Sequence, residues 1–316
     1  MNDDSKFRGL GTALVTPFND DGSLDEKAFE ALVDWQIERG VDFLVPCGTT
    51  GENPALTPDE HLRVVEMTVG RARGKVPVLA GAGNNSTPRA VELAQAAVQL
   101  GADGILTITP YYNKPNPDGL LRHFGAQADA LEKLAPGFPM ILYNVPGRTG
   151  VNMTAEVTLR IAREIPSVAG VKEASANMEQ ILALLRDRSE GFLVLSGDDA
   201  WTLPIMAAGA DGLISVAANE VPREMKAMVT ACLAGDFATA RKTHLRLLPL
   251  LTGNFIESNP VPVKAVMKLM GILERDTVRS PLAQISASNL EALRGILGEC
   301  GIDASSARSE TMRSAG

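Results

Sequence analysis

A lysine at the end of an apolar segment is the feature of this sequence with the clearest chemistry. Lys172 follows the apolar run of "VAGVKEAS" (168–175). Burial disfavours the charged form of an amine, and an unprotonated amine is a nucleophile that forms imines with carbonyl compounds. Lys172 is therefore a candidate imine-forming residue. The alternatives are a lysine that extends into solvent from a sheet edge, or one that pairs with Glu173.

Two adjacent threonines form a second candidate site. Thr49 and Thr50 lie between glycines in "CGTTGEN" (47–53). Tight turns of this kind present backbone N–H groups that hold a carboxylate, and the hydroxyls add further donors. A helix-capping loop is the alternative. A nucleotide phosphate loop is excluded, because no Gly-Lys-Ser/Thr sequence follows.

All three tyrosines lie in two short motifs. Tyr111 and Tyr112 belong to "TPYYNKP" (109–115), and Tyr143 opens "YNVPGRTG" (143–150). A buried tyrosine is usually a core residue, but beside an imine-forming lysine it is suited to proton relay. Arg148 follows a Pro-Gly turn and is either a surface arginine or a clamp for a substrate carboxylate.

Metal, nucleic-acid and membrane functions find little support. The three histidines lack metal-ligand spacing, and the three cysteines are too scattered for a disulfide framework or a zinc site. We predict no metal and no cofactor. The net charge of −8, without a basic run, argues against nucleic acid and anionic membranes. With neither a signal peptide nor a span-length apolar stretch in view, we expect the cytoplasm.

Eight apolar, strand-like segments alternate with helical patterns over the first two thirds of the chain. Continuous apolar strands followed by helices predict a parallel sheet covered on its outer side. The simplest closure is a (β/α)8 TIM barrel, with an open doubly wound sheet as the alternative. The segments are 11–18, 42–48, 76–83, 103–110, 139–146, 168–175, 192–199 and 211–219. The motifs above all lie at or after strand ends, where barrel enzymes place their reactive groups.

After residue 220 the strand signal stops and helical patterns continue. We therefore predict a barrel over residues 1–220 and a C-terminal helical domain over 221–303. The small polar residues of 304–316 predict a disordered tail.

These motifs resemble those of the dihydrodipicolinate synthases. The resemblance runs through residues 8–300 and rests on "VPCGTTGE", "TPYYNKP", "LYNVPGRTG", "GVKEAS", "LSGDD" and "FIESNPVPVK". "GTTGE" with "GVKEAS" is typical of the wider superfamily of pyruvate-dependent class I aldolases, which includes N-acetylneuraminate lyase. The arginine of "YNVPGRTG" is more specific, since the neuraminate lyases lack it.

The resemblance implies a role for each candidate residue. Lys172 would form the Schiff base with pyruvate. Tyr143, Thr49 and Tyr112 would form a proton relay, with Tyr112 donated across a tight dimer interface. The substrate-binding positions would be Thr50 for the pyruvate carboxylate, Arg148 for the aldehyde substrate's carboxylate, and the pocket-lining Gly197 and Ile214.

The same resemblance implies a lyase of lysine and diaminopimelate biosynthesis. It would condense pyruvate with L-aspartate 4-semialdehyde, as a homotetramer built from two tight dimers and without a cofactor. Three positions depart from the family pattern. Asn53 replaces the usual Ser, Ala55 replaces a frequent Thr, and Arg89 aligns with a Glu of lysine-inhibited members. Arg89 predicts weak feedback inhibition by L-lysine, because a guanidinium repels the effector's ammonium.

Three other functions remain as alternatives. A sibling aldolase or lyase would act on a sugar-derived 2-keto acid. Arg148 argues against it, because the synthase needs this arginine for a small amino-acid aldehyde, whereas a sugar site needs more partners for hydroxyl groups. A non-catalytic keto-acid sensor would lose Lys172 or the tyrosines, which are present. A nucleotide-binding doubly wound protein is disfavoured, because "GAGNNS" (81–86) lacks the third glycine of a dinucleotide fingerprint.

Overall fold

Eight parallel strands form a nearly closed barrel in a computed structural model, which describes residues 4–302. They are β1 Gly9–Ala13, β2 Phe43–Val45, β3 Leu79–Gly81, β4 Gly104–Ile108, β5 Met140–Asn144, β6 Val168–Glu173, β7 Leu193–Ser196 and β8 Gly212–Ser215. The order around the sheet is β2-β1-β8-β7-β6-β5-β4-β3, and a parallel bridge between Leu44 and Val78 brings β2 to β3. The predicted (β/α)8 barrel is confirmed, and the open doubly wound alternative is wrong.

Helices follow the strands and cover the barrel. They are α1 Glu26–Glu38, α2 Pro58–Ala72, α3 Thr87–Leu100, α4 Pro117–Glu132, the short α5 Pro146–Thr149, α6 Ala155–Glu164, α7 Met178–Asp187, α8 Thr202–Ala207, α9 Pro222–Leu233, α10 Phe237–Gly253, α11 Val261–Leu269 and α12 Ala287–Glu299. The start of α2 shows how the sequence fixes a boundary. The Thr57 hydroxyl accepts from the Glu60 N–H, the Glu60 carboxylate accepts from the Thr57 N–H, and Pro58 takes the first helical position.

The barrel interior is filled by large apolar side chains opposite glycines. Phe7 packs edge-to-face on Phe43 inside the barrel, with ring centroids 5.6 Å apart. A Cβ on Gly11 would overlap the Phe43 ring, and one on Gly212 would overlap the Gly9 backbone. These glycines let the strands and rings approach closely. The barrel is therefore filled with side chains toward the amino-terminal ends of the strands, and a site can form at the carboxyl-terminal ends.

The C-terminal helices pack against one side of the barrel. α9 lies against β1 and β8, and α10 packs against α8, α9 and α12. Lys226 of α9 pairs with Asp42, whose carboxylate also accepts from the Leu10 N–H. The boundary at 220/221 stays a prediction, and the predicted tail 304–316 lies outside the described residues. No helix among residues 4–302 is long and apolar enough to cross a bilayer.

Candidate active site

A cavity of ≈ 210 Å³ opens where β2 to β5 end at their carboxyl termini. Of the residues singled out by sequence, Thr49, Tyr111, Tyr143 and Arg148 line it. The remaining lining residues are Cys47, Gly48, Asn53, Pro54, Gly81, Gly83, Leu106, Ile108 and Thr149. Strand β5, the short α5 and the loops after β2 and β4 therefore supply a hydroxyl, two phenols and a guanidinium to one small, largely apolar space.

Lys172 lies beside this cavity, on β6. It is only 5% exposed, and its register partner on β5 is Tyr143. The Lys172 Nζ stands 4.4 Å from the centroid of the Tyr143 ring. Within residues 4–302, the Lys172 Nζ makes no hydrogen bond or ion pair with another residue, while its backbone is paired to β5 and β7. The amine is thus enclosed rather than extended into solvent, and its donors are not committed to the protein.

The neighbouring Glu173 faces away from Lys172. Its carboxylate accepts from Asn144 Nδ2 at 3.1 Å, from Gln180 Nε2 at 3.1 Å and from the Ser175 N–H at 2.8 Å. Burial raises the pKa of this carboxyl group, while the hydrogen bonds act in the opposite direction. Successive residues of a strand point to opposite faces, so Glu173 anchors the strand end outward while Lys172 points inward. The Lys172–Glu173 ion pair considered from the sequence is therefore not formed.

Gly197, just after β7, provides room for the Lys172 side chain. A Cβ at this position would lie 3.1 Å from Lys172 Cε and 2.8 Å from the Cβ of Ala174. Ile214 on β8 is buried in the barrel interior, in the same apolar cluster as Tyr143. Neither Gly197 nor Ile214 is among the residues lining the cavity, but Gly197 bounds the lysine directly.

The threonine loop is a tight turn, as its sequence suggested. The Gly51 N–H donates to the Gly48 carbonyl, the Glu52 N–H donates to the Thr49 carbonyl, and Glu52 has a left-handed φ of 54°. Thr49 faces the cavity, whereas Thr50 is 3% exposed and accepts from Asn259 Nδ2 at 3.0 Å. The hydroxyl pair is not a helix cap, because Thr57 caps α2.

A second buried lysine anchors this loop from behind. Lys264 of α11 pairs with the Glu52 carboxylate, donates to the Thr277 carbonyl at 2.8 Å and lies 4.4 Å from the Phe18 ring. Burial is the main cause that lowers the Lys264 pKa to about 8. A lowered pKa alone would thus favour Lys264 as a nucleophile. Its ammonium is held by protein acceptors, however, and it does not line the cavity.

Arg148 lies at the cavity mouth, on α5. It is solvent-exposed, and its Nη2 donates to the main-chain carbonyl of Asn259 at 3.4 Å. Asn259 therefore contacts both Thr50 and Arg148. Asn259 was not among the site residues predicted from the sequence, although it lies within "FIESNPVPVK", one of the motifs that carry the resemblance. The contact spans 209 positions of the chain, so no local pattern indicates it.

Tyr112 is the candidate that one chain does not bring to the site. Its side chain is 88% exposed and its φ is 68°, while the adjacent Tyr111 lines the cavity. The Tyr112 N–H donates to the Thr149 carbonyl at 3.3 Å, which fixes the loop and directs the phenol outward. A role for Tyr112 in the chemistry therefore requires a second copy of the chain.

Two departures from the family pattern lie close to the cavity. Asn53 lines it, and its Oδ1 is 2.9 Å from His61 Nδ1. Ala55 belongs to the adjoining turn, where its carbonyl accepts from Arg279. Across the part of the chain that the structure describes, no group of three or more His, Cys, Asp or Glu residues is arranged to hold a metal ion.

The arrangement suits covalent chemistry on a small keto acid. An enclosed amine stands against a phenol ring, and hydroxyl donors and a guanidinium are available for carboxylates. Such a set can bind an anionic carbonyl compound, form an imine and move protons within an apolar space.

Comparisons with known proteins agree with this chemistry. A model described as the Dihydrodipicolinate synthetase family matches residues 6–299. A 4-hydroxy-tetrahydrodipicolinate synthase of Koribacter versatilis (strain Ellin345) is 51% identical over 298 residues, which cover 94% of this chain and 97% of the relative.

Solved structures give the same result. A structure titled as the first monomeric dihydrodipicolinate synthase variant has a TM-score of 0.90 at 40% identity, and the match covers 95% of this chain and 99% of that one. A synthase from Cyanidioschyzon merolae, with lysine bound, has a TM-score of 0.89 at 39% identity, over 94% of this chain and 99% of that one.

Proposed function

This chain belongs to the dihydrodipicolinate synthetase family, and we propose that its residues condense pyruvate with L-aspartate 4-semialdehyde to give 4-hydroxy-tetrahydrodipicolinate. The enzyme is a lyase of lysine and diaminopimelate biosynthesis. The observation that supports this reaction at this site is the buried amine of Lys172. It lies 4.4 Å from the centroid of the Tyr143 ring, at the carboxyl-terminal ends of the barrel strands.

The first half of the reaction joins pyruvate to the enzyme. The unprotonated Lys172 amine attacks the ketone carbon of pyruvate, and the resulting carbinolamine loses water to form an imine. Removal of a proton from the pyruvate methyl group then gives an enamine, whose nucleophilic carbon is the former methyl carbon. We assign to Thr50 the role of donor to the pyruvate carboxylate, with the backbone near Gly197 and Ile214 forming the rest of the pocket.

The second half forms the carbon–carbon bond. The enamine carbon attacks the aldehyde carbon of the semialdehyde, and the aldehyde oxygen takes up a proton to become the 4-hydroxyl group. The substrate's amine then attacks the imine carbon and displaces the Lys172 amine. Arg148, at the cavity mouth, is suited to hold the carboxylate of the incoming aldehyde through its planar set of donors.

Each step moves a proton, and we assign this transfer to Tyr143 and Thr49. Both line the cavity, and Tyr143 is also the register partner of Lys172. We assign Tyr112 to the same relay in a neighbouring subunit's site, consistent with its exposed side chain. This assignment depends on a tight dimer, and the homotetramer and the cytoplasmic location remain part of the proposal.

A coupled assay tests the function. Purified protein receives pyruvate and L-aspartate 4-semialdehyde, with the next reductase of the pathway and NADPH in excess. Pyruvate-dependent loss of NADPH is the expected result. If NADPH is not consumed but borohydride still traps a pyruvate adduct on Lys172, the imine chemistry stands and the aldehyde acceptor is a different compound. The comparisons do not favour the sugar-acid alternative, which such a result would bring back.

A further inference from the structure

Asn259 joins the two proposed carboxylate-binding groups from the far end of the chain. It lies between α10 and α11 and is 5% exposed. Its side-chain Nδ2 donates to Thr50 Oγ1 at 3.0 Å, and its main-chain carbonyl accepts from Arg148 Nη2 at 3.4 Å. One residue thus contacts each half of the site through a different group.

The side-chain contact determines what the Thr50 hydroxyl is able to do. A threonine hydroxyl has one hydrogen to donate and two lone pairs to accept with. Because the Asn259 amide nitrogen is only a donor, Thr50 is the acceptor in this contact. Among residues 4–302, the Thr50 hydroxyl makes no other hydrogen bond, so its own hydrogen is left for a ligand.

The other end of the Asn259 amide supports a directional role. Its Oδ1 is buried and, among the described residues, has no hydrogen-bond partner. An unpaired buried oxygen is unfavourable. A residue that served only to fill space would not need an amide whose oxygen is buried without a partner. A residue that must donate an N–H to Thr50 does need the amide.

We propose that Asn259 is a positioning residue that fixes the Thr50 hydroxyl as a donor toward the carboxylate of pyruvate. The inference rests on the proposed function and adds a specific determinant of pyruvate affinity. Asn259 acts through Thr50 and does not itself touch the reacting atoms. Arg148 donates to the main-chain carbonyl of Asn259, so variants of the Asn259 side chain can retain this hydrogen bond.

Four proteins form the test: the wild type, Asn259→Leu, Thr50→Val and the double variant. Leucine keeps the branched heavy-atom skeleton of asparagine without its donor, and valine replaces the hydroxyl by a methyl. Each single variant is expected to raise the KM for pyruvate by roughly 10- to 100-fold, the range of a hydrogen bond to a charged group. The kcat and the KM for the semialdehyde should change by less than about threefold, because Arg148 and Lys172 retain their contacts.

The double variant separates positioning from general damage. If Asn259 acts through Thr50, the double variant will match Thr50→Val within about twofold, because there is no hydroxyl left to orient. Effects that multiply would overturn the proposal, as would an unchanged pyruvate KM in Asn259→Leu. If Asn259→Leu fails to fold, Asn259→Ala replaces it in the same cycle with the same expected outcomes.

A control in the same region accounts for the loss of a buried amide. Asn254, five residues earlier, is also buried and donates to Glu220 at 2.8 Å. Asn254→Ala is expected to lower thermal stability and leave the pyruvate KM unchanged. A wild-type protein that forms no pyruvate adduct would contradict the proposed function itself. An active wild type with multiplicative variants would contradict only the role of Asn259.

Discussion

Two buried lysines lie near the threonine loop, and their contacts assign them different roles. Lys264 is bound by Glu52 and by the Thr277 carbonyl, whereas the Lys172 amine lies against the Tyr143 ring and has no hydrogen-bond partner among residues 4–302. A nucleophilic amine needs a lone pair that the substrate is able to reach, as well as a pKa low enough for the amine to lose its proton. Accessibility therefore favours Lys172, although the pKa of Lys264 is lowered to about 8.

Replacement of Lys172 tests this assignment at a single atom. Lys172→Ala should abolish the pyruvate adduct trapped by borohydride, because the carbon–nitrogen bond can no longer form. The measurement is intact-mass and peptide-mass analysis after reduction. Lys264→Met, which removes the other buried amine, should retain the adduct wherever the protein folds. An adduct that survives in Lys172→Ala and maps to Lys264 would reverse the two roles.

Replacement of Arg148 separates the two substrates. Arg148→Ala should leave the pyruvate adduct intact and raise the semialdehyde KM by roughly 10- to 100-fold, since a charge-assisted contact with a carboxylate is lost. Arg148→Lys retains the charge without the planar pair of donors and should recover only part of the loss. The measurement is steady-state kinetics with each substrate varied in turn. A semialdehyde KM that does not change in Arg148→Ala would remove this residue from substrate binding.

At the scale of the elements, the sequence predicted the alternation well and some strand ends poorly. The apolar segment 11–18 suggested where the first strand lies, but β1 runs from Gly9 to Ala13. Two of its five residues are glycines, which propensity places outside strands. They are in the strand because the side chains of Asp42 and Phe43 fill the space that a Cβ would take. That requirement arises only once the barrel closes.

The site was predictable only in part, for a related reason. Lys172, Tyr143, Thr49 and Arg148 lie at strand ends or in the loops that follow, so the barrel topology alone brings them together. Asn259, between α10 and α11, and Lys264 of α11 reach the same loop from more than 200 residues away. Such contacts depend on how the helical segment packs, and periodicity carries no information about that packing.

Gly197 links the end of β7 to the position of the lysine on β6. Gly197→Ala should slow adduct formation, because the added methyl would lie 3.1 Å from Lys172 Cε and 2.8 Å from Ala174 Cβ. The expected loss is about tenfold in the rate of trapping, since small displacements of a reacting group have large effects. Gly70→Ala in α2, where a Cβ meets nothing within 4 Å, is the matched control and should trap pyruvate at the wild-type rate. Equal rates in both variants would show that Gly197 does not set the lysine's position.

For the whole molecule, a buried carboxyl group between the barrel and the C-terminal helices makes stability depend on pH. Glu220 is buried and accepts from Asn254 Nδ2 at 2.8 Å, while its Oε1 has no partner among residues 4–302. Burial, together with the negative charge of Asp199, raises its pKa well above the ordinary value. Above the unfolded pKa near 4.5, the unfolded chain releases this proton and the folded protein retains it. Stability therefore falls as pH rises, by up to about 1.4 kcal/mol per pH unit, until the folded carboxyl also ionises.

The variant Glu220→Gln resembles the protonated carboxyl group and should remove this dependence. Urea unfolding at pH 5, 6, 7 and 8 is the measurement. The variant and the wild type should differ little at pH 5, and the variant should become the more stable protein as pH rises. Parallel stability curves across this range would contradict a retained proton on Glu220. Glu257→Gln, at a half-buried carboxylate that accepts from Asn289 and Ser286 and whose pKa these hydrogen bonds lower, is the control without a retained proton.

We expect the charge of Arg89 to weaken any response to the pathway's end product, L-lysine. Arg89 lies in the first turn of α3, where it pairs with Glu92 at 2.7 Å. Burial, and to a smaller extent the positive charge of Arg89, lowers the pKa of His61 to about 4, and His61 contacts Asn53 through a ring nitrogen. A cation here disfavours an effector that carries two ammonium groups.

We expect less than about twofold inhibition by L-lysine at low millimolar concentration, measured in the coupled assay. Arg89→Glu, which restores the acidic residue of lysine-inhibited members, should increase sensitivity, whereas Arg294→Glu on α12 should not. Strong inhibition of the wild type would show that Arg89 does not exclude lysine.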